Sequence, residues 1–157
     1  MSRNTRIKPV LKAGPWLISG TVLIADRLTK AIVVRTFVPG ETHPLFPPLV
    51  HLTYVQNAGA AFGMFKGYHV VFVVCSFLVA IWLVRLFLSQ RPMSSCMLWG
   101  CAFVLGGAVG NLIDRLCVGY VVDFIDLRVW PVFNVGDSAI TIGVSLLLLD
   151  TYLSTRR

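Results

Sequence analysis

The chain has 157 residues, of which 56% are hydrophobic and only 13% charged, with a mean hydropathy of +0.77. A soluble domain of this length carries roughly 25% charged residues, so lipid is the expected solvent for much of the chain, and there is room for one domain only. The net charge of +7 is not a nucleic-acid signature. Arg3, Arg6, Lys8 and Lys12 form an N-terminal tail, Arg85 and Arg91 flank a short middle loop, and Arg156 and Arg157 end the chain, where the positive-inside rule places basic residues.

Residues 14–37 follow the tail and suffice for a tilted spanning helix. A cleaved signal peptide is the rival reading, but the apolar run resumes after Asp26, Arg27 and Lys30 and no small-x-small site closes it. Asp26 and Lys30 are four apart, share a helix face and can neutralise each other. They either make that face tolerable or line a polar pocket inside the bundle.

Residues 38–67 form a long loop, long enough to suspect a role of its own. Prolines 39, 44, 47 and 48 deny a helix at its start. Residues 50–56 carry a weak strand signal, Asn57-Ala58-Gly59 a turn, and residues 60–65 a possible returning strand. Phe46, Phe62, Met64 and Phe65 make it apolar for an aqueous loop, which suits a membrane surface, a lipidic substrate or a small core of its own. His43, His51 and His69 are read as all falling in one loop without helical metal-ligand spacing, and no two of the four cysteines make a C-x-x-C pair. Neither a metal site nor a cofactor is expected.

Residues 68–88 are the second apolar run and 96–116 the third. In the third, Gly106 and Gly110 form a G-x-x-x-G that permits close helix approach. Gly107, Asn111 and Asp114 or Arg115 give its second half a polar stripe, which must face protein or water. The fourth run, residues 138–149, would span only about 18 Å, so a helix over about 134–153 is expected. That places Asp137 within its first turn, where it can serve as an N-cap. Four helices with a basic tail at each end put both termini in the cytoplasm, and the loop 38–67 and the segment 117–137 on the outer face.

Residues 106–140 concentrate four aspartates (Asp114, Asp123, Asp126, Asp137), two asparagines and Arg115 between greasy segments. Each carboxylate costs about 2.5–3.5 kcal/mol at the centre of an inserted helix, so a chain that keeps them together is expected to use them. No nucleophile–histidine arrangement, P-loop or dinucleotide fingerprint accompanies them. Asp123 and Asp137, one on a loop and one at a helix start, can meet on the outer face. Two aspartates sharing a proton can hydrolyse an amide. A small proton-coupled transporter with Asp26 or Asp114 as carrier is equally open from the residues alone, and a non-catalytic scaffold is a third reading.

Four blocks break the tie: DRLTK at 26–30, NAGAAFG at 57–63, GGAVGNLIDR at 106–115, and VVDFID with FNVGD at 121–126 and 133–137. In this order and spacing the chain resembles the lipoprotein signal peptidases, the bacterial type II signal peptidases, over nearly its whole length. The resemblance implies a membrane all-α bundle of four transmembrane helices with a small β-containing extracytoplasmic loop domain, all within a single membrane-embedded peptidase domain at 1–157. It implies an inner-membrane aspartyl endopeptidase that cuts diacylglyceryl-modified prolipoproteins before the lipidated cysteine. Asp123 and Asp137 then match the catalytic pair. Asn57 and Gly59 match residues that approach the substrate backbone, and Asn111, Arg115 and Asn134 the polar groups around the pair. Asp26 and Lys30 match a polar pair on the first helix, and Asp114 a structural partner. The implied partners are prolipoproteins and membrane lipids, with no nucleic acid and a monomeric enzyme. Two departures stand out. Gly136 replaces the family's usual alanine and is expected to hold Asp137 less firmly, and the segment between the two aspartates is short.

Overall fold

In the computed structural model, residues 13–59, 69–89 and 92–156 are described. The expected strand at 60–65, with Phe62, Met64 and Phe65, and the basic tail lie outside them. Four helices, α1 (Ala13–Thr36), α2 (His69–Leu88), α3 (Ser95–Cys117) and α4 (Val135–Thr155), accompany three strands, β1 (Thr42–Phe46), β2 (Val50–Asn57) and β3 (Val121–Asp126). The helices fall within a residue or two of the expected runs. Those over Val70–Leu88, Ser95–Cys117 and Val135–Thr155 are long and apolar enough to cross a membrane. Their outward faces carry large exposed apolar side chains, among them Val70, Phe77, Leu78, Trp82 and Leu148, more apolar surface than a water-soluble monomer shows.

Local chemistry sets the helix ends. Pro15 sits in the first turn of α1, where its missing N–H is no loss, and the helix stops before Pro39 and Gly40, the latter at φ 89°. Ser94 caps α3 by accepting from the Met97 N–H at 3.0 Å. Gly119, at φ 85°, turns the chain out of α3 into β3.

Helix α3 is the centre of the bundle and packs on all three other helices. The G-x-x-x-G faces α1: a Cβ on Gly106 would lie 2.7 Å from the Ser19 carbonyl oxygen, and one on Gly110 would strike the Asp26 carboxylate. Gly107, one residue round, faces α4, where a Cβ would run into the Gly136 carbonyl. Two glycine faces on one helix therefore bring α1 and α4 close enough for short polar side chains to reach one another. Leu83, Phe87, Cys101, Ala102 and Leu105 make the apolar core further along the bundle.

The strands form one antiparallel sheet in the order β1-β2-β3. Segment 121–126, expected as loop, is strand β3. Its alternation is masked because nearly every residue is buried, and its backbone groups pair with β2, placing Val55 opposite Asp123 and Asn57 opposite Val121. Strand β1, with Pro44 inside it, was also hidden in the sequence. It is an edge strand, where proline is tolerated. Val33, Tyr54, Val122 and Phe124 form a second core that joins the sheet to the end of α1. The three histidines do not share one loop: His43 lies in β1, His51 in β2, and His69 opens α2.

Candidate active site

Asp123 and Asp137 reach the site from different elements, and Asn134 joins them. Its Nδ2 donates to Asp123 Oδ1 at 2.6 Å, and its Oδ1 accepts from the Asp137 N–H at 2.8 Å. Asn134 is fully buried and is the N-cap of α4. Asp137, considered as a cap from sequence, is instead the third helical residue, and its carboxylate reaches back to the Asn134 N–H at 3.3 Å. This reciprocal capping box fixes the Asp137 side chain with bonds that any helix start could use. Capping and site geometry are thus one arrangement.

Each carboxylate has a further amide donor. Asn57 Nδ2 donates to Asp123 Oδ2 at 2.9 Å, while Asn57 Oδ1 accepts from the Gly59 N–H at 3.0 Å, the expected turn. Asn111 Nδ2 donates to Asp137 Oδ1 at 2.8 Å. Asp123 is 2% exposed. Burial, and then the charge of Asp137, push its carboxyl up to about 7 against the pull of Asn57 and Asn134. It is an acid that exchanges its proton near neutrality.

Behind this layer lies Lys30, 1% exposed. Its ammonium lies at ion-pair distance from Asp26 Oδ2 and Asp114 Oδ2, 2.8 Å from each, and donates a hydrogen bond to Asn111 Oδ1 at 2.7 Å. A cation on the Asn111 oxygen settles which way that amide points, and so turns its NH2 toward Asp137. Asp26 uses its other oxygen to accept from the Gly136 N–H at 2.9 Å, tying α1 to the start of α4. Asp114 also accepts from the Val122 N–H at 3.3 Å and pairs with Arg27. Asp26, Lys30 and Asp114 do not line the space beside Asp123 and Asp137; they hold the residues that do. At Gly136, where glycine was expected to hold Asp137 less firmly, an alanine would be tightly fitted. A Cβ there would sit 3.1 Å from each of three oxygens, on Asn134, Asp26 and Gly107.

A cavity of about 250 Å³ opens on the pair, lined by Asn57, Arg115, Asp123, Trp130, Phe133 and Asp137. Arg115 lies over the Phe72 ring, 5.3 Å from its centroid. A second, more apolar groove of about 430 Å³ shares Trp130, Phe133 and Asp137 and continues along Thr141 and Ile142 of α4. The wall common to both is the segment between the two aspartates, which sequence reasoning registered only as short. Phe133 returns to pair with Ile125, and Trp130, followed by a proline and flanked by both aspartates, is the signal that could have marked it. Asp126, three residues beyond Asp123, belongs to another cluster. It accepts from Thr53 Oγ1 at 2.7 Å and from the Arg128 N–H at 2.8 Å, and anchors the turn that begins this wall. Among the described residues, no three histidine, cysteine or carboxylate side chains are grouped to hold a metal ion.

A helical bundle capped by a small sheet, with carboxylates buried at their junction, is an architecture found in small bacterial membrane enzymes. One such enzyme, solved by the in meso method at 2.3 Å resolution, superposes with a TM-score of 0.85 at 33% identity, covering 91% of this chain and 90% of its own. A second, solved by the same method at 1.9 Å, gives 0.79 at 34% identity over 87% and 91%. The family itself follows from the sequence. Residues 18–153 match the model of Signal peptidase (SPase) II, and the chain belongs to that family. It is 47% identical to the lipoprotein signal peptidase of Moorella thermoacetica, over 85% of this chain and 89% of that one. It is 41% identical to that of Halothermothrix orenii, over 85% and 92%.

Proposed function

We propose that this chain is an aspartic endopeptidase of the bacterial inner membrane that removes signal peptides from prolipoproteins, with Asp123 and Asp137 as its catalytic pair. The supporting observation is the Asn134 bridge, which holds a buried carboxylate, Asp123, and a half-buried one, Asp137, from separate elements at the mouth of one cavity. One proton shared by the pair leaves one carboxylate to take a proton from water and one carboxyl to hydrogen-bond the scissile carbonyl. Water attacks the carbonyl carbon, and the tetrahedral intermediate collapses as the proton passes to the leaving amine. Asn111, Asn134 and Lys30 position the pair. Asn57 and Gly59, at the end of β2, lie where a substrate backbone enters, and Arg115 supplies positive charge beside the pair. The more apolar groove along α4 is suited to the hydrocarbon part of a diacylglyceryl-cysteine.

All four helices span the membrane in this reading, and the 1–157 chain is one domain. Helix α1 carries too much charge to qualify by composition, but Asp26 and Lys30 are 0% and 1% exposed and neutralise one another. Its other face bears Leu17, Ile24, Leu28 and Ile32, all exposed. Both termini are cytoplasmic, the sheet and the pair sit at the outer face, and the enzyme works as a monomer among membrane lipids. The proton-coupled transporter reading finds no support in the family match.

The test is cleavage of a diacylglyceryl-prolipoprotein by purified protein in detergent. Asp123→Asn and Asp137→Asn are each expected to lose activity by at least about 10³-fold with unfolding temperatures close to wild type. Cleavage surviving in either folded variant removes that residue from the pair.

A further inference from the structure

A third cavity, of about 230 Å³, lies where the ends of α1 and α3 meet β3 and shares no lining residue with the cavity that opens on the aspartate pair. Arg27, Lys30 and Arg35 of α1, Asp114 of α3, and Val118 and Tyr120 beyond it line its wall. The proposed peptidase chemistry makes no use of this space.

Its charges can be summed. Lys30 is held by Asp26 and Asp114, and Arg27 by Asp114. Three cations against Asp26 and Asp114 leave one positive charge, and it resides on Arg35. Among the described residues no carboxylate lies within ion-pair distance of that guanidinium. An arginine in the last turn of a helix also offsets the helix dipole, but that role needs no cavity. A guanidinium at the rim of a concave basic wall is suited to a phosphate, which it can grip with two parallel N–H bonds.

The surroundings specify what carries the phosphate. Leu28, Ile32 and Arg35 are spaced i, i+4 and i+7, so they lie on one face of α1. Leu28 and Ile32, on the surface beside the cavity, are each 60% exposed, and Val34 and Val118, which line it, are 48% and 52% exposed. Apolar surface therefore runs up the helix to a single cation at the level where the apolar bundle gives way to the sheet. A soluble phosphate has no use for the lower part of that track, whereas a phospholipid matches both parts. Basic pockets between membrane helices take lipid headgroups by this combination.

We propose that the α1–β3 cavity binds the phosphate of an anionic phospholipid, with Arg35 as its principal contact and the Leu28–Ile32 face of α1 along its acyl chains. The lipid is a ligand of the fold, separate from the substrate. One bound monoanion brings the wall to neutrality.

Thermal unfolding of the full chain in a nonionic detergent, followed by tryptophan fluorescence, tests this without reference to cleavage. Dioleoylphosphatidylglycerol is expected to raise the unfolding temperature saturably, and dioleoylphosphatidylcholine and inorganic phosphate at matched concentrations are not. In Arg35→Gln the lipid concentration giving half the shift should rise about tenfold, the loss of one charge-assisted contact. Arg35→Lys should retain most of the response, and Arg85→Gln, on α2, should leave it unchanged. An Arg35→Gln response equal to wild type overturns the proposal. So does an equal shift from phosphatidylcholine, or an equal loss in Arg85→Gln, which would signify diffuse attraction to a basic protein. An equal shift from inorganic phosphate would assign the cavity to a soluble anion and overturn the lipid. Should Arg35→Gln fail to fold, Arg35→Lys and the lipid comparison on wild type decide the same question.

Discussion

Replacing Lys30 by methionine removes a cation that three side chains share. The side chain is 1% exposed, and its ammonium makes contacts at 2.8, 2.8 and 2.7 Å to Asp26, Asp114 and Asn111. Without it, Asp114 keeps Arg27, but Asp26 is left as a buried carboxylate with only the Gly136 N–H. Breaking a buried ion pair from one side costs about 3–5 kcal/mol. The catalytic consequence is separate. Asn111 loses the cation that orients its amide and keeps on that oxygen only the longer bond from Asn134 Nδ2, at 3.2 Å, so the donor it offers Asp137 is held less firmly. A hydrogen bond to a charged group is worth about 1.5–3 kcal/mol, so kcat should fall by roughly 10- to 100-fold in the protein that remains folded. Stability is read by thermal unfolding in detergent, and kcat from cleavage below the unfolding temperature. The double variant Lys30→Met/Asp26→Asn separates the two effects. Neutralising Asp26 should recover a large part of the lost stability and little of the lost kcat, because Asn111 is still without its cation. Two results would refute this reasoning: a Lys30→Met protein as stable as wild type, or a double variant whose kcat recovers along with its stability.

Two other expectations come from the sheet side of the site. Because Asp123 titrates near 7 in the folded protein against 3.8 as its ordinary value, the folded state holds that proton more tightly than the unfolded chain does. The resulting stability is fully present below about pH 4 and is lost as pH rises through 7, an effect of roughly 4 kcal/mol at most. The unfolding temperature should fall between pH 5 and 8, and Asp123→Asn should flatten that slope; a rise over the same interval contradicts the assignment. Asp126→Ala frees the Thr53 hydroxyl and the Arg128 N–H, the ties that fix the start of the wall carrying Trp130. It should raise KM several-fold with kcat nearly intact, whereas an equal fall in kcat would place Asp126 in the chemistry.

The residues that sequence made most legible were those in the wrong solvent. Charged and amide side chains among apolar neighbours identified Asp26, Lys30, Asn111, Asp114, Asp123, Asn134 and Asp137, and the structure assembles all seven into one connected network. Their division of labour was not legible. Asp26 and Asp123 look alike in sequence, yet one holds Lys30 and the Gly136 N–H while the other faces the cavity. That difference depends on the glycine faces of α3, which decide which helix comes close to which. The strands were hidden for another reason. A strand buried on both sides has no alternation, and β3 gains its identity from pairing with β2, more than 60 residues earlier in the register Val55–Asp123. Trp130 was overlooked because an exposed aromatic in a short segment has no period at all; only the return of Phe133 to Ile125 shows that the segment folds back to make a wall.

The buried charges also account for why so polar a site can persist in lipid. Beneath the pair, Asp26 and Asp114 face Lys30 and Arg27, two charges of each sign, with every short contact between opposite signs. At the pair, the proposed chemistry has the two carboxylates share one proton and carry a single negative charge, and Arg115 lines the same cavity. Each layer is neutral, so neither imposes a net charge on the low-dielectric interior. Neutrality of the upper layer holds only while the shared proton stays. Losing it leaves two negative charges against one positive one, and burial together with that electrostatic cost raises the Asp123 carboxyl to about 7, so the proton is held more tightly than on a free aspartate. On the proposed mechanism, the feature that makes the pair tolerable to the fold is also the feature that makes it chemically useful: a proton held by the pair toward neutral pH.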